Sequence, residues 1–306
     1  MGDPDRLLAE TSRTFALSIP RLPEPVRAEV TLAYLLFRIA DTFEDAAPWP
    51  RVKRLRALED FAALLDHHDP ARAKELVAAW LREPPCDHAG YLELLAETPD
   101  VLERTQRLDA PARAVVIGHA LRTTHGMAGF VERSTENGSL RLHDLADLSR
   151  YCYVVAGIVG ELLTDLFLLA APSLAKVEHA LRSRAVTFGE GLQLVNITKD
   201  ADDDARDGRV YLPAGVPRRE VLDLARRDLD EAERYVRALQ SGAAPRGFVE
   251  FTALPVILAR AALDAVESQG PGAKVPRSYV LASVMALDAR LDAETDAFTG
   301  AAIATP

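Results

Sequence analysis

Apolar residues recur along this chain at intervals of three and four, with polar residues filling the gaps. That spacing gives each helix one face to bury. Runs of alternating β-branched residues are nearly absent, and Ala, Leu, Arg, Glu and Asp dominate, so the pattern predicts an almost wholly helical chain. Proline and glycine punctuate it. Pro20, Pro23 and Pro25 precede a long helix over about 27–46, and Pro48 with Pro50 follow it. Shorter helices are expected over about 51–68, 70–82, 88–107 and 111–132. The segment RSTENGSLRL (133–142) reads as a turn centred on Asn137 and Gly138. Helices then resume over about 143–168, 174–206, 217–240, 245–268 and 276–297. Internal repeats, low-complexity tracts and linkers are absent from the sequence, so one all-α domain over residues 1–306 is expected.

Two of these helices carry an unusual polar stripe. Tyr34, Arg38, Asp41 and Asp45 stand at i, i+4, i+7 and i+11, beside the apolar Leu35, Leu36, Ile39 and Phe43. Alone, such a stripe is an ordinary solvated face. The second instance changes the reading. In LQLVNITKDADDD, Gln193, Asn196, Asp200 and Asp204 stand at i, i+3, i+7 and i+11, among Leu192, Leu194, Val195 and Ile197. Two carboxylates one turn apart repel each other by a few tenths of a kcal/mol on an exposed helix. A divalent cation between them removes that repulsion. Carboxylate oxygens are hard ligands suited to Mg²⁺, which keeps several waters and commonly bridges to a substrate phosphate. Two facing Asp-rich helices bracketing a cavity would therefore hold Mg²⁺ and a diphosphate. Arg13, Arg38, Lys199 and Arg209 would neutralise the remaining phosphate charge.

Composition removes several other readings. Hydrophobic residues make up 48% and charged residues 27%, the proportions of a folded globular chain. The net charge is 36 − 46 = −10, which argues against a nucleic-acid partner. Cys86 and Cys152 are too few for a disulfide framework, and Cys152, within YCYVVAGIVG, reads as a buried core thiol. The His residues show no metal-ligand spacing, and His67-His68 reads as a solvated helix end. Gly189-Glu190-Gly191 lies inside a helical pattern and lacks the rest of a phosphate-binding glycine loop. Ala156, Gly157 and Gly160 predict close helix packing, or room for a ligand. The N-terminus has no secretory signal pattern, and no stretch approaches the ~18–20 uncharged apolar residues that span a bilayer. A cytoplasmic protein without its own membrane anchor is the expectation.

Read in order, these segments resemble the squalene/phytoene synthase family of head-to-head prenyl transferases. SRTFALSIPRLP (12–23) is similar to the family's N-terminal Ser-Arg-Ser-Phe element, and YLLFRIADTFED (34–45) to its first Asp-rich motif. HGMAGF (125–130) resembles a stretch of the squalene synthases. YCYVVAGIVGELLTDLF (151–167) looks like the Tyr-Cys-x-x-Val-Ala-Gly-x-Val-Gly segment. GLQLVNITKDADDDARDGRVYLP (191–213) is similar to the second Asp-rich motif with its Arg-containing tail, and EFTALPVILA (250–259) to the C-terminal pocket helix. Lys199 departs from the pattern where Arg is common, and Asp203 where Glu is common.

The resemblance implies a single-domain class I isoprenoid synthase-type helical bundle around a central cavity. Asp41 and Asp45, with Asp200 and Asp204, would hold Mg²⁺, and Glu44 would support the first pair. Arg38 and Arg209 would contact diphosphate or Mg-bound water, and Ser12 and Arg13 a second diphosphate. Tyr34 and Tyr151 would stand near the reacting carbons, Gln193 and Asn196 would orient the second motif, and Phe15, Val155 and Phe251 would line the prenyl tunnel. Lys274 and Arg277 resemble basic residues of a flap proposed for the phosphates of NADPH. The implied reaction joins two farnesyl diphosphates through presqualene diphosphate to squalene. Dehydrosqualene, hydroxysqualene and phytoene synthases, which do without NADPH, are the alternatives: DTFED, HGMAGF and EFTALP look closer to squalene synthases, VGELLT and LQLVN to dehydrosqualene synthases. A non-catalytic assembly factor of the same fold is a further alternative, though such proteins typically lose the carboxylates kept here. A peripheral membrane contact for product release and a monomeric or homodimeric state complete these expectations.

Overall fold

Caps and prolines decide where the helices begin. Asp3 accepts the Asp5 N–H (3.1 Å) ahead of Pro4, and Asp69 accepts the N–H groups of Ala71 and Arg72 (3.0 and 2.9 Å) ahead of Pro70. The computed structural model describes residues 3–12, 14–136, 139–206 and 208–299. These are almost entirely helical, and they form two compact units.

The first unit comprises the described residues of Met1–Ile19 and Glu24–Leu140. It contains α1 (Pro4–Thr11), α2 (Phe15–Ser18), α3 (Val26–Glu44), α4 (Arg51–Asp66), α5 (Pro70–Arg82), α6 (Ala89–Ala96), α7 (Thr98–Gln106) and α8 (Ala110–Arg133). Helix α3 is its centre, packed on α1, α4, α6, α7 and α8. Leu35, Leu36, Ile39 and Phe43, the apolar flank of the first stripe, are completely buried. Phe43 meets Trp80 (4.6 Å), Trp49 (6.0 Å) and Phe61 (6.2 Å) in an aromatic cluster. The helix expected over 88–107 is instead α6 and α7, broken at Glu97. Pro99 explains the break: its ring would clash with the carbonyl four residues back in a continuous helix. His67 is exposed as expected, but His68 is not a solvated end, because its Nε2 lies 3.1 Å from Glu103.

The second unit comprises Pro20–Pro23 and the described residues after Leu140. Strand β1 (Leu140–Arg141), of which only Arg141 belongs to this unit, leads into α9 (Leu145–Cys152), a π-helical turn (Tyr153–Gly157), α10 (Ile158–Ala170) and a 3₁₀ segment (Pro172–Val177). Then follow α11 (Glu178–Arg206), β2 (Arg209–Val210), α12 (Arg218–Ser241), α13 (Arg246–Gln269) and α14 (Arg277–Asp292). The Leu142 N–H donates to the Val210 carbonyl (3.2 Å) beside the two short strands, which hydropathy periodicity is too coarse to find. Cys152 is fully buried, and burial pushes its thiol up, as befits an inert core cysteine. Asn137 and Gly138, the expected turn centre, lie outside the described residues.

Backbone meets backbone where the small residues lie. A Cβ on Gly160 would fall 1.8 Å from the Ala185 carbonyl oxygen, and one on Gly189 would fall 2.0 Å from that of Ala156. The close packing expected from Ala156, Gly157 and Gly160 is thus present between α11 and the π-turn and α10. The run Leu145–Ala170, 26 residues long, is long and apolar enough to cross a bilayer by length and composition, but Asp147, Arg150, Glu161 and Asp165 interrupt it, so it holds no uncharged apolar stretch of spanning length. Half of its most apolar window is buried inside the protein, where it forms the floor beneath α11.

Gly160→Ala should therefore destabilise the protein by about 2–3 kcal/mol or more, since a rigid backbone cannot yield as a side chain can. Chemical denaturation against wild type measures this; an unchanged midpoint would contradict the contact.

Candidate active site

Each acidic stripe is described within its own unit. In the first, α3 ends at Glu44, and Asp45 caps it with its N–H on the Asp41 carbonyl (2.8 Å). Asp41 is partly buried and Asp45 exposed, while Glu44 is nearly enclosed on the stripe's flank. One Arg38 guanidinium nitrogen lies 3.2 Å from Asp41 Oδ2. Burial opposes the charge on Arg38, but Asp41 and two tyrosines outweigh it and hold the guanidinium protonated. Burial pushes the Asp41 carboxyl up to about 6, Arg38 pulls the other way, and Asp45 pushes it further up. Arg38 lies between two rings, its guanidinium carbon 5.7 Å from the Tyr34 centroid and 5.4 Å from that of Tyr91. Tyr34 donates its hydroxyl hydrogen to the Thr11 carbonyl (2.8 Å) and its ring lies 5.5 Å from Phe15. The Ser12 hydroxyl accepts the Phe15 N–H (3.0 Å), so its visible role is to start α2. Arg13 lies outside the described residues.

In the second unit the stripe runs along the C-terminal half of α11. Lys199 Nζ lies 3.3 Å from Asp200, and Arg209, from β2, lies 3.4 Å from Asp204. Asn196 is exposed and Gln193 half-buried on the same face. Asp203, a neighbour off the stripe, pairs instead with Arg206 (2.6 Å). Tyr151 is buried and stacks on Tyr211, with centroids 4.7 Å apart, and donates a hydroxyl hydrogen bond to it (3.0 Å). Val155 lies half-buried in the π-turn, a local distortion of the kind common at functional sites. Phe251 is buried against Phe167 (6.3 Å, edge to face). The Gly272 N–H donates to the Lys199 carbonyl (2.7 Å), which ties the loop before Lys274 to the second stripe. Lys274 and Arg277 are both exposed.

The donors in these stripes are all carboxylate oxygens, each set accompanied by a cationic side chain. That chemistry fits a hard divalent ion shared with an anion rather than zinc or copper. Among the described residues no three His, Cys, Asp or Glu side chains converge into a closed cage. Mg²⁺ does not need one, because it is usually held by one or two carboxylates, waters and substrate phosphates.

Comparison with known proteins gives the family and the fold. The sequence profile of the family described as squalene/phytoene synthase matches residues 8–220. The chain belongs to the squalene/phytoene synthase family. It is 30% identical over 210 residues to a squalene synthase of Schizosaccharomyces pombe, a match covering 68% of this chain and 43% of that one. The chain thus matches less than half the length of that curated relative. Among solved structures, the complex of TcSQS with the ligand E5700 superposes with a TM-score of 0.75 at 25% identity, covering 95% of this chain and 86% of that one. A dehydrosqualene synthase complex shares the fold, with a TM-score of 0.54 at 19% identity, covering 95% of each chain. The all-α fold expected from the sequence is that of these structures.

Two aromatic residues beside the squalene/phytoene synthase stripes were not singled out from sequence. Tyr211 follows the second motif within RVYLP, but only the fold stacks it on Tyr151. Tyr91 lies in short α6, far from either motif, and no spacing pattern connects it to Arg38.

The Asp41 environment has a measurable consequence. Its folded carboxyl is raised from 3.8 to about 6, so it favours the fold below pH 3.8, and that contribution is lost as pH rises through 6. Asp41→Asn should then be more stable than wild type by about 1–3 kcal/mol at pH 7.5, with the gain vanishing near pH 3.5. Melting curves at the two pH values check this; a less stable variant at pH 7.5 would contradict it.

Proposed function

We propose that this protein condenses two farnesyl diphosphates head to head, through presqualene diphosphate, to squalene. What carries the reading is that both acidic stripes pair their carboxylates with Arg38, Lys199 and Arg209, which is the composition of a metal–diphosphate site. The curated relative's name, squalene synthase, supports it.

In this reading Asp41, Asp45, Asp200 and Asp204 would hold Mg²⁺, with Glu44 supporting the first pair. When bound, Mg²⁺ would neutralise diphosphate charge and so weaken its bond to the allylic carbon. Arg38 and Arg209 take up the oxygens left over, as planar guanidinium groups can. Lys199 supplies only a point charge there. Ser12 and Arg13 would face the second diphosphate, and Gln193 and Asn196 orient the second stripe. The ring faces of Tyr34 and Tyr151 stabilise cationic carbon, and their hydroxyls can assist a proton transfer. Phe15, Val155 and Phe251 form apolar walls that exclude water from a reactive cation. Lys274 and Arg277 would bind the phosphates of NADPH, whose chemistry is to supply hydride. The reaction is placed in the cytoplasm.

Purified protein given labelled farnesyl diphosphate and Mg²⁺ should make squalene with NADPH. Without NADPH it should stall at presqualene diphosphate or release dehydro- and hydroxy-products. Asp200→Asn should lower turnover by ~100-fold or more while remaining folded. Dehydrosqualene as sole product, at one rate with or without NADPH, would contradict the reductive half. A preference for geranylgeranyl diphosphate would point to phytoene synthesis instead.

A further inference from the structure

Arg38 has a guanidinium able to form a two-pronged pair with a carboxylate, and Asp41 stands three residues away to receive it. The pairing does not go that far. The closest approach to Asp41 is a single contact of 3.2 Å, and Arg38 Nε is buried with no hydrogen-bond partner among the described residues. A buried donor left in this state calls for a cause. The cause on hand is a pair of aromatic faces, Tyr34 at 5.7 Å and Tyr91 at 5.4 Å, both within the ~6 Å reach of a cation–π contact.

Both rings are fixed by the same short helix. Tyr34 is bound through its hydroxyl to the Thr11 carbonyl at the end of α1 (2.8 Å). Tyr91 belongs to α6, which lies directly on α1: a Cβ at Gly90 would come 2.7 Å from the Glu10 carbonyl oxygen. Arg6 of α1 grips Glu93 of α6 with two nitrogens, at 2.5 and 2.8 Å. His88 then accepts the Tyr91 N–H (3.3 Å) and stacks on its ring, with centroids 4.0 Å apart. Helix α1 thus sets both ring positions.

We propose that Tyr91 is a positioning residue: with Tyr34 it holds the Arg38 guanidinium over two ring faces and limits it to a single contact with Asp41, which leaves the rest of the carboxylate for a cation and the rest of the guanidinium for the diphosphate. This rests on the diphosphate-binding reading above. Without Tyr91, Arg38 is free to close onto Asp41 and satisfy both charges internally, and the site loses affinity for an anion.

Inorganic pyrophosphate in saturating Mg²⁺ is the probe, titrated calorimetrically, alongside KM and kcat for farnesyl diphosphate. Tyr91→Leu should weaken pyrophosphate binding and raise KM by about tenfold, with kcat changed less than about twofold, whereas Tyr91→Phe should stay within about twofold on both. In an Arg38→Gln background Tyr91→Leu should add nothing. Equal losses in the Phe and Leu variants, or an undiminished Tyr91→Leu effect without Arg38, would overturn the proposal. If Tyr91→Leu does not fold, progressively fluorinated phenylalanines at position 91 keep the shape and weaken the ring face. Stepwise loss of affinity supports the role, and a flat series overturns it. A wild type that binds Mg-pyrophosphate with this Tyr91 dependence, yet makes no prenyl product, removes the condensation and supports the positioning role. A wild type that binds no pyrophosphate overturns the positioning role.

Discussion

Holding a carboxylate partly out of water beside a second carboxylate is unfavourable, and at Asp41 the protein accepts that cost. Much of the first unit can be understood as what makes this arrangement possible. Leu35, Leu36, Ile39 and Phe43 bury one side of α3 completely, so the opposite stripe cannot rotate away. Arg38 lowers the penalty without removing it, because its guanidinium is held by ring faces as well as by Asp41. Natural proteins keep such local costs mostly where function needs them.

The second unit meets a similar demand differently. There the acidic residues of α11 are accompanied by Lys199 and Arg209, and α11 itself is seated by direct backbone contact at Gly160 and Gly189. Such contact fixes a helix axially as well as laterally, which side-chain packing alone does less strictly. The same helix supplies the Lys199 carbonyl that anchors the loop before Lys274. One rigid element therefore positions carboxylates, cation and loop together.

How much of this was legible depended on whether the signal was periodic. Both stripes, the buried Cys152, the close approach at Gly160 and most long helices follow from side-chain spacing and small-residue placement. What escaped was local or tertiary. Helices α1 and α2 are too short to show a period, and Pro99 breaks a helix that hydropathy alone would carry through. Tyr91 and Tyr211 acquire meaning only when folding brings them to Arg38 and Tyr151, residues some fifty to sixty positions away in sequence. The apolar run Leu145–Ala170 shows the converse: composition there has the length of a membrane span, while half of its most apolar window lies inside the protein.

The proposal that the two acidic stripes serve one metal-assisted step is tested most directly by thermal stability with Mg²⁺ and inorganic pyrophosphate. A ligand that binds only the folded protein raises its melting temperature. Wild type should gain more from the two together than from either alone, and Asp41→Asn, Asp45→Asn, Asp200→Asn and Asp204→Asn should each lose most of that gain. An Asp200→Asn or Asp204→Asn protein that responds as wild type does would contradict the account, leaving the second stripe a solvated face.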